Sequence, residues 1–208
     1  MKVGVSLSSR NSAKRKLEAK MIGEGKTIEP AQVYELCDPG HRNFRGVVEN
    51  ADLNTVIKII RGEKDYMLRV HWLMGNRKPG GIVWTDSGAV IVRKDVELVI
   101  RQFSGWKTYG IVLLDENGSE ISGYCGLSIS GRCGDLTYTD DREYDVGLFR
   151  GASLDLQTWD GSDIFMARNS RRIFALEKVI TQLQRKKVTG FTTTRLGDII
   201  HARRLRET

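Results

Sequence analysis

An α+β domain with a mainly antiparallel sheet is the fold this sequence predicts, on three observations. Short alternating apolar stretches bounded by Gly, Asn and Asp recur along the chain, as half-buried strands require. Two longer stretches, residues 95–103 and 170–183, place apolar side chains at helical spacing. Each then runs through a short linker into a strand-like segment. Helix-then-strand units beside a hairpin suit an antiparallel sheet with segregated helices.

The elements follow in order. Residues 1–30 form a basic N-terminal arm, with a short helix expected over residues 12–21 and a stop at Glu29 and Pro30. Residues 31–78 read as a strand-rich segment or smaller N-terminal lobe. In it, residues 32–37 alternate as a strand, residues 38–40 turn, residues 53–60 suit helix or strand, and residues 66–72 alternate again. The N-R-K-P-G-G loop at residues 76–81 is the expected lobe boundary.

Residues 79–208 form the main α+β domain with a basic C-terminal tail. Asp95 is placed to cap a helix whose stripe is Val96, Val99, Ile100 and Phe103, stopped at Ser104 and Gly105. The apolar run at residues 109–114 reads as a central strand. The D-E-N-G turn at residues 115–118 folds it back onto residues 121–130 as a hairpin, with Leu127 and Ile129 on one face. Ser170 is placed to cap a second helix, striped by Ile173, Leu176, Ile180 and Leu183 and ending in Arg185, Lys186 and Lys187, where cations suit the helix dipole. Residues 189–194 then read as a β-branched strand.

The two helix–strand units resemble an internal duplication. In each, a tryptophan with Ser, Asp and Gly nearby (Trp84, Trp159) precedes the helix, and a strand opening at a glycine (Gly110, Gly190) follows it.

The bulk properties bound the function. The 208 residues are 40% apolar, enough for a sizeable core. The formal charge of +7 gathers partly at the ends: seven Lys/Arg against three Glu up to residue 30, and Arg203, Arg204 and Arg206 against Glu207 in the tail. Such arms read first as solvated termini. Cys37, Cys125 and Cys133 are odd in number and lack a Cys-x-x-Cys pair, so neither a disulfide framework nor a zinc knuckle is expected. His41, His71 and His201 have no zinc-ligand spacing. Neither a signal-peptide core nor a membrane-length apolar run is present, so a cytoplasmic protein without a membrane partner is expected.

Chemistry-bearing patterns are sparse. Asp160 and Asp163 are three residues apart in T-W-D-G-S-D-I-F-M-A, and a small hydrolase using them as acid and base is one alternative. The competing reading makes this stretch a structural corner, with Trp159 as anchor, Gly161 in a turn and Asp163 bonding backbone amides. Cys125, Ser87 and Ser162 lack the neighbours of a nucleophile. No phosphate-binding loop occurs. A basic nucleic-acid-binding protein stacking bases on Tyr66 and Trp72 beside Arg69 and His71 is the second alternative. No helix-turn-helix or RNP-like pattern supports it, and nucleic acid is not the expected partner. No catalytic residue, metal or cofactor is assigned.

The order of motifs is more specific. V-x-x-x-V-E-x-V-I at residues 92–100 is followed by S-G-Y-C-G-L-S-I at 122–129 and by W-D-G-S-D-I-F at 159–165. The run R-R-I-F-A-L-E-K-V-I leads on to V-T-G-F at 188–191. This order resembles immunity family eleven of the bacterial polymorphic toxin systems, formerly a domain of unknown function, over residues 82–196. Gly161, Asp163 and Phe165 match its G-x-D-I-F element, and Gly190 and Phe191 its last one. Ser128 stands where the family tends to have asparagine, and the first 75 residues find no counterpart. The resemblance implies a cytoplasmic α+β protein, not an enzyme, that binds and neutralises a cognate toxin through protein–protein contact. Residues 159–165 are then a structural corner. A basic inhibitor suits a toxin with an acidic contact face. Trp72, Trp84 and Trp106 are the candidate interface anchors, each weighed against a place in the core.

Overall fold

The computed structural model describes residues 32–40, 43–139, 143–145 and 148–202. The helix expected over residues 12–21, the N-terminal arm and Arg203, Arg204 and Arg206 of the tail lie outside them. The described chain is mixed α+β with mostly antiparallel sheets.

β1 (Val33–Cys37) and β2 (Arg45–Val48) open it. α1 (Leu53–Ile60) follows. Its ambiguity in sequence is resolved by Asp52, whose carboxylate accepts from the Thr55 amide at 2.9 Å as an N-cap. Val56, Ile59 and Ile60 are its buried face. Next come β3 (Leu68–Met74), β4 (Ile82–Thr85), β5 (Val90–Arg93), α2 (Lys94–Ile100), β6 (Trp106–Tyr109), β7 (Ile111–Leu114) and β8 (Tyr124–Ile129). Strands β2 to β8 build a seven-stranded sheet in the order β6-β8-β5-β4-β2-β3-β7. β6 and β7 are separated only by Gly110 yet occupy its two ends, so the sheet curls round toward a barrel.

β9 (Gly131–Cys133), β14 (Ile164–Ala167), β15 (Ile173–Leu176) and β16 (Thr192–Arg195) join β1 in a five-stranded sheet, β16-β1-β15-β14-β9. α3 (Glu177–Arg185) lies between β15 and β16. Small sheets pair β10 (Leu136–Tyr138) with β13 (Ala152–Leu154), and β12 (Leu148–Arg150) with β11 (Glu143–Asp145) and β17 (Ile200–Ala202).

Several expectations are corrected. Residues 31–78 are not a lobe of their own: β1 lies between β15 and β16, and β2 lies beside β4. The run at 109–114 is not a central strand but two end strands broken at Gly110. The D-E-N-G turn forms, with Asp115 accepting from the Asn117 and Ser119 amides at 2.8 Å, but β8 turns away to pair with β5 and β6, while β7 pairs with β3. Asp95 does not cap α2. It sits in the first turn, gripped by Nε and one terminal nitrogen of Arg93, both at 2.7 Å. Residues 173–176 are strand, and helix begins only at Glu177. Ile173, Phe174 and Ala175 are all buried, and burial on both faces suits a sheet interior better than a one-sided helix.

The duplication is present, with other equivalences than the sequence pattern gave. Hairpin β4–β5, helix α2 and strand β6 repeat as hairpin β14–β15, helix α3 and strand β16. Both sheets share the order β6-β8-β5-β4-β2 and β16-β1-β15-β14-β9, antiparallel except for the last strand, which runs parallel to the hairpin in each. The registers agree as well. Arg93, the residue before α2, faces Tyr124, and Leu176, the residue before α3, faces Val33. Trp84 therefore corresponds to Met166, not to Trp159.

The halves hold each other reciprocally. The Ile82 amide donates to the Thr189 carbonyl at 2.9 Å, and the Ile164 amide to the Ser104 carbonyl at 3.1 Å. At φ +93° and +90°, Gly105 and Gly190 lie so close to the Ile164 and Ile82 carbonyls that an added Cβ would clash with each oxygen. The glycine equivalent to Gly190 is Gly105, not Gly110. Such an exchange is what an approximate two-fold relation between the halves requires.

Candidate functional site: a cleft between the hairpin turns

The residues singled out in sequence sit in the framework. Asp160 accepts from the Arg132 amide through one oxygen and the Ser162 amide through the other, both at 2.9 Å, and Gly161 takes φ +84° in the turn between. The Trp159 indole donates to the Ser162 carbonyl at 3.1 Å, and its ring leans on the fully buried Phe165. Asp163, buried, accepts from the Ser104 amide at 3.0 Å and pairs with Lys178. Burial opposes its ionisation, but Lys178 and the Ser104 donors outweigh it and hold the carboxyl below its usual value. Both aspartates thus bond the backbone of segments remote in sequence.

The three candidate anchors are half-buried and pack against the main core. The Trp84 indole donates to the Gly190 carbonyl at 2.9 Å, tying one half to the other. Trp106 donates to the Ile100 and Phe103 carbonyls, closing the end of α2. The Trp72 nitrogen is buried with no hydrogen-bond partner among the described residues. The larger exposed apolar side chains are elsewhere, at Met67 and Leu98, each 61% exposed.

A cleft of about 640 Å³ opens between the β4–β5 turn and the β14–β15 turn, floored by the end of β1. That volume falls in the usual range for binding cavities, about 300–1,000 Å³. In it Glu35, 7% exposed, meets the Arg172 guanidinium at 2.6 and 2.7 Å. Cys37 lines it with its thiol pushed up to about 11 by burial and by the Glu35 charge. Asp38, at the mouth, pairs with Arg45 at 3.2 Å. Asp86 and Arg171, one from each hairpin turn, are exposed and form no ion pair among the described residues.

Sequence reasoning missed this cleft, because its walls come from four separate segments: the end of β1, Ile60 of α1 and the two hairpin turns. One signal was available: Glu35 interrupts the alternation of a strand that is otherwise apolar on its inner face. Among the described residues no group of three or more His, Cys, Asp or Glu gathers to hold a metal ion, and no helix is long and apolar enough to cross a membrane. No protein-family model matches the chain, and the search of curated proteins found no match to it.

Proposed function

We propose that this chain is an immunity protein that binds a cognate bacterial toxin and neutralises it by covering it. The observation that carries the reading is the placement of the motifs behind the resemblance. G-S-D-I-F at residues 161–165 and V-T-G-F at 188–191 are the two segments through which the halves hold each other, by way of Asp163 on Ser104 and Gly190 against Ile82. Motif residues that make a framework leave the surface free to vary with the partner, as an inhibitor matched to one toxin needs.

The positive charge that would meet an acidic toxin face lies at the two ends of the sequence. Residues 32–202 carry 23 Lys/Arg and 22 Asp/Glu, whereas residues 1–31 carry an excess of four positive charges and residues 203–208 of two. An acidic toxin face would therefore be attracted by the two ends of the chain, and association would slow as salt rises.

The test is growth rescue. The polypeptide encoded beside this gene is expressed in a sensitive host with and without this chain, and the tagged chain is pulled down. Rescue together with a stable complex is the expected result. A neighbour that is not toxic, or that stays toxic and unbound when this chain is abundant, overturns the reading.

A further inference from the structure

The internal repeat identifies what the cleft is shaped to take. At one junction between the halves, the C-terminal end of α1 is held at three points. Ser128 Oγ donates to the Ile59 carbonyl at 2.5 Å. Arg132 donates to the Arg61 carbonyl. Arg61 itself donates to the Arg168 carbonyl at 3.1 Å.

The strand registers convert each point into its counterpart. Ser128, four residues beyond Tyr124, corresponds to Cys37, four beyond Val33. Arg132 faces Met166 across a parallel pair, and Arg45 faces Trp84. Arg168 follows β14 directly, as Asp86 follows β4. Cys37 and Asp86 both line the cleft, and Arg45 is bound to Asp38 at its mouth. The cleft thus stands at the junction equivalent to the one that the end of α1 occupies; Ile60 of α1 reaches its wall, but no described helix fills it.

A second observation agrees. Arg132 uses its guanidinium on three carbonyls, including that of the helix end. Its counterpart Arg45 has a buried Nε with no hydrogen-bond partner among the described residues. The terminal nitrogen that Arg132 gives to the helix end is, in Arg45, held by Asp38 at the mouth of the cleft.

We propose that the cleft is a docking site for the C-terminal end of a short amphipathic helix of a protein partner, apolar at positions matching Val56, Ile59 and Ile60 and followed by a basic residue. The helix carbonyls face Cys37, which stands where Ser128 meets the Ile59 carbonyl in the repeat, and the negative end of the helix dipole faces Arg171. The basic residue that follows meets Asp86, whose carboxylate adds a charge where the other half offers only the Arg168 carbonyl. That the helix belongs to a toxin rests on the function proposed above; the shape of the occupant does not.

The probe is the molecule's own occupant of the equivalent position, a synthetic peptide of residues 52–62 added to the full-length protein. Binding is followed through the amide resonances of Cys37, Ser87 and Gly88. Saturable shifts at these amides are expected. A peptide with Ile59 and Ile60 replaced by Asp should give none. Asp86→Arg, an exposed turn substitution, should weaken binding about tenfold, and a peptide carrying Arg61→Glu should recover most of that loss, as a swapped charge pair does. Shifts absent up to millimolar peptide, equal for both peptides, or indifferent to Asp86→Arg overturn the proposal. Growth rescue separates the two readings. Peptide binding without rescue keeps the cleft and removes the toxin. Rescue that Asp86→Arg leaves intact keeps the toxin and removes the cleft as its docking point.

Discussion

The carboxylate of Asp163 holds the Ser104 amide, the Ser104 hydroxyl and Lys178 at once, and so joins the linker after α2 to the start of β14 and to α3. Asp163→Asn keeps the size but loses the charge, and should cost about 1–3 kcal/mol near neutral pH. The folded carboxyl titrates below the ordinary 3.8, so between the two values the unfolded chain binds the proton and the folded one does not. Its stabilisation is therefore complete above 3.8 and is lost as pH falls through the lower, folded value. Urea midpoints of wild type and Asp163→Asn should differ by a constant amount near neutral pH and converge in acid. The thiols carry a second prediction at this scale. Burial first, and then Glu35, Glu97 and Asp160 respectively, push Cys37 and Cys125 to about 11 and Cys133 to about 12. All three stay protonated near neutral pH. Alkylation by iodoacetamide should be slow in the native protein and complete in urea, as a mass measurement would read.

At the scale of elements, the glycines that end the two helix linkers are the points where one half touches the other. Gly105 and Gly190 combine a positive φ with a carbonyl oxygen at the place of the absent Cβ. Gly105→Ala and Gly190→Ala should each cost about 3 kcal/mol or more, since strain and clash act together. Gly88, at φ +86° with nothing within 4 Å, is the control. Gly88→Ala should cost only the left-handed penalty, about 1–2 kcal/mol. Chemical denaturation of the three variants checks the order. Equal losses at all three would mean that the close approach contributes nothing beyond backbone strain.

At the scale of the whole molecule, the reciprocal clasp predicts shared stability. One core cluster draws Ile82, Val90 and Val96 from one half and Ile164, Ile173 and Val179 from the other. A single unfolding transition should follow, with far-UV circular dichroism and tryptophan fluorescence coinciding. Gly105→Ala and Gly190→Ala should shift both probes together, although each alters only one linker. Two separated transitions would show that the halves fold independently.

The α+β class, the strand at residues 33–37 and the turns at 76–81 and 115–118 were legible in the sequence, because alternation and turn chemistry act over a few neighbouring residues. The sequence by itself also suggested two similar units, but through equivalences that the strand registers replace. Other features were decided only by tertiary structure. Residues 173–176 fit a helical stripe as well as a buried strand, and only pairing with β1 and β14 makes them strand. Residues 109–114 read as one strand because nothing local reveals that β6 and β7 join different ends of a curled sheet. Gly105 could not be matched to Gly190 without the hairpin each one touches, and the cleft needed β1 brought from the beginning of the chain to the two turns. Local propensity cannot hold that information, since hydrogen-bond partners more than 100 residues apart, such as Ile82 and Thr189, are chosen by which apolar faces close together.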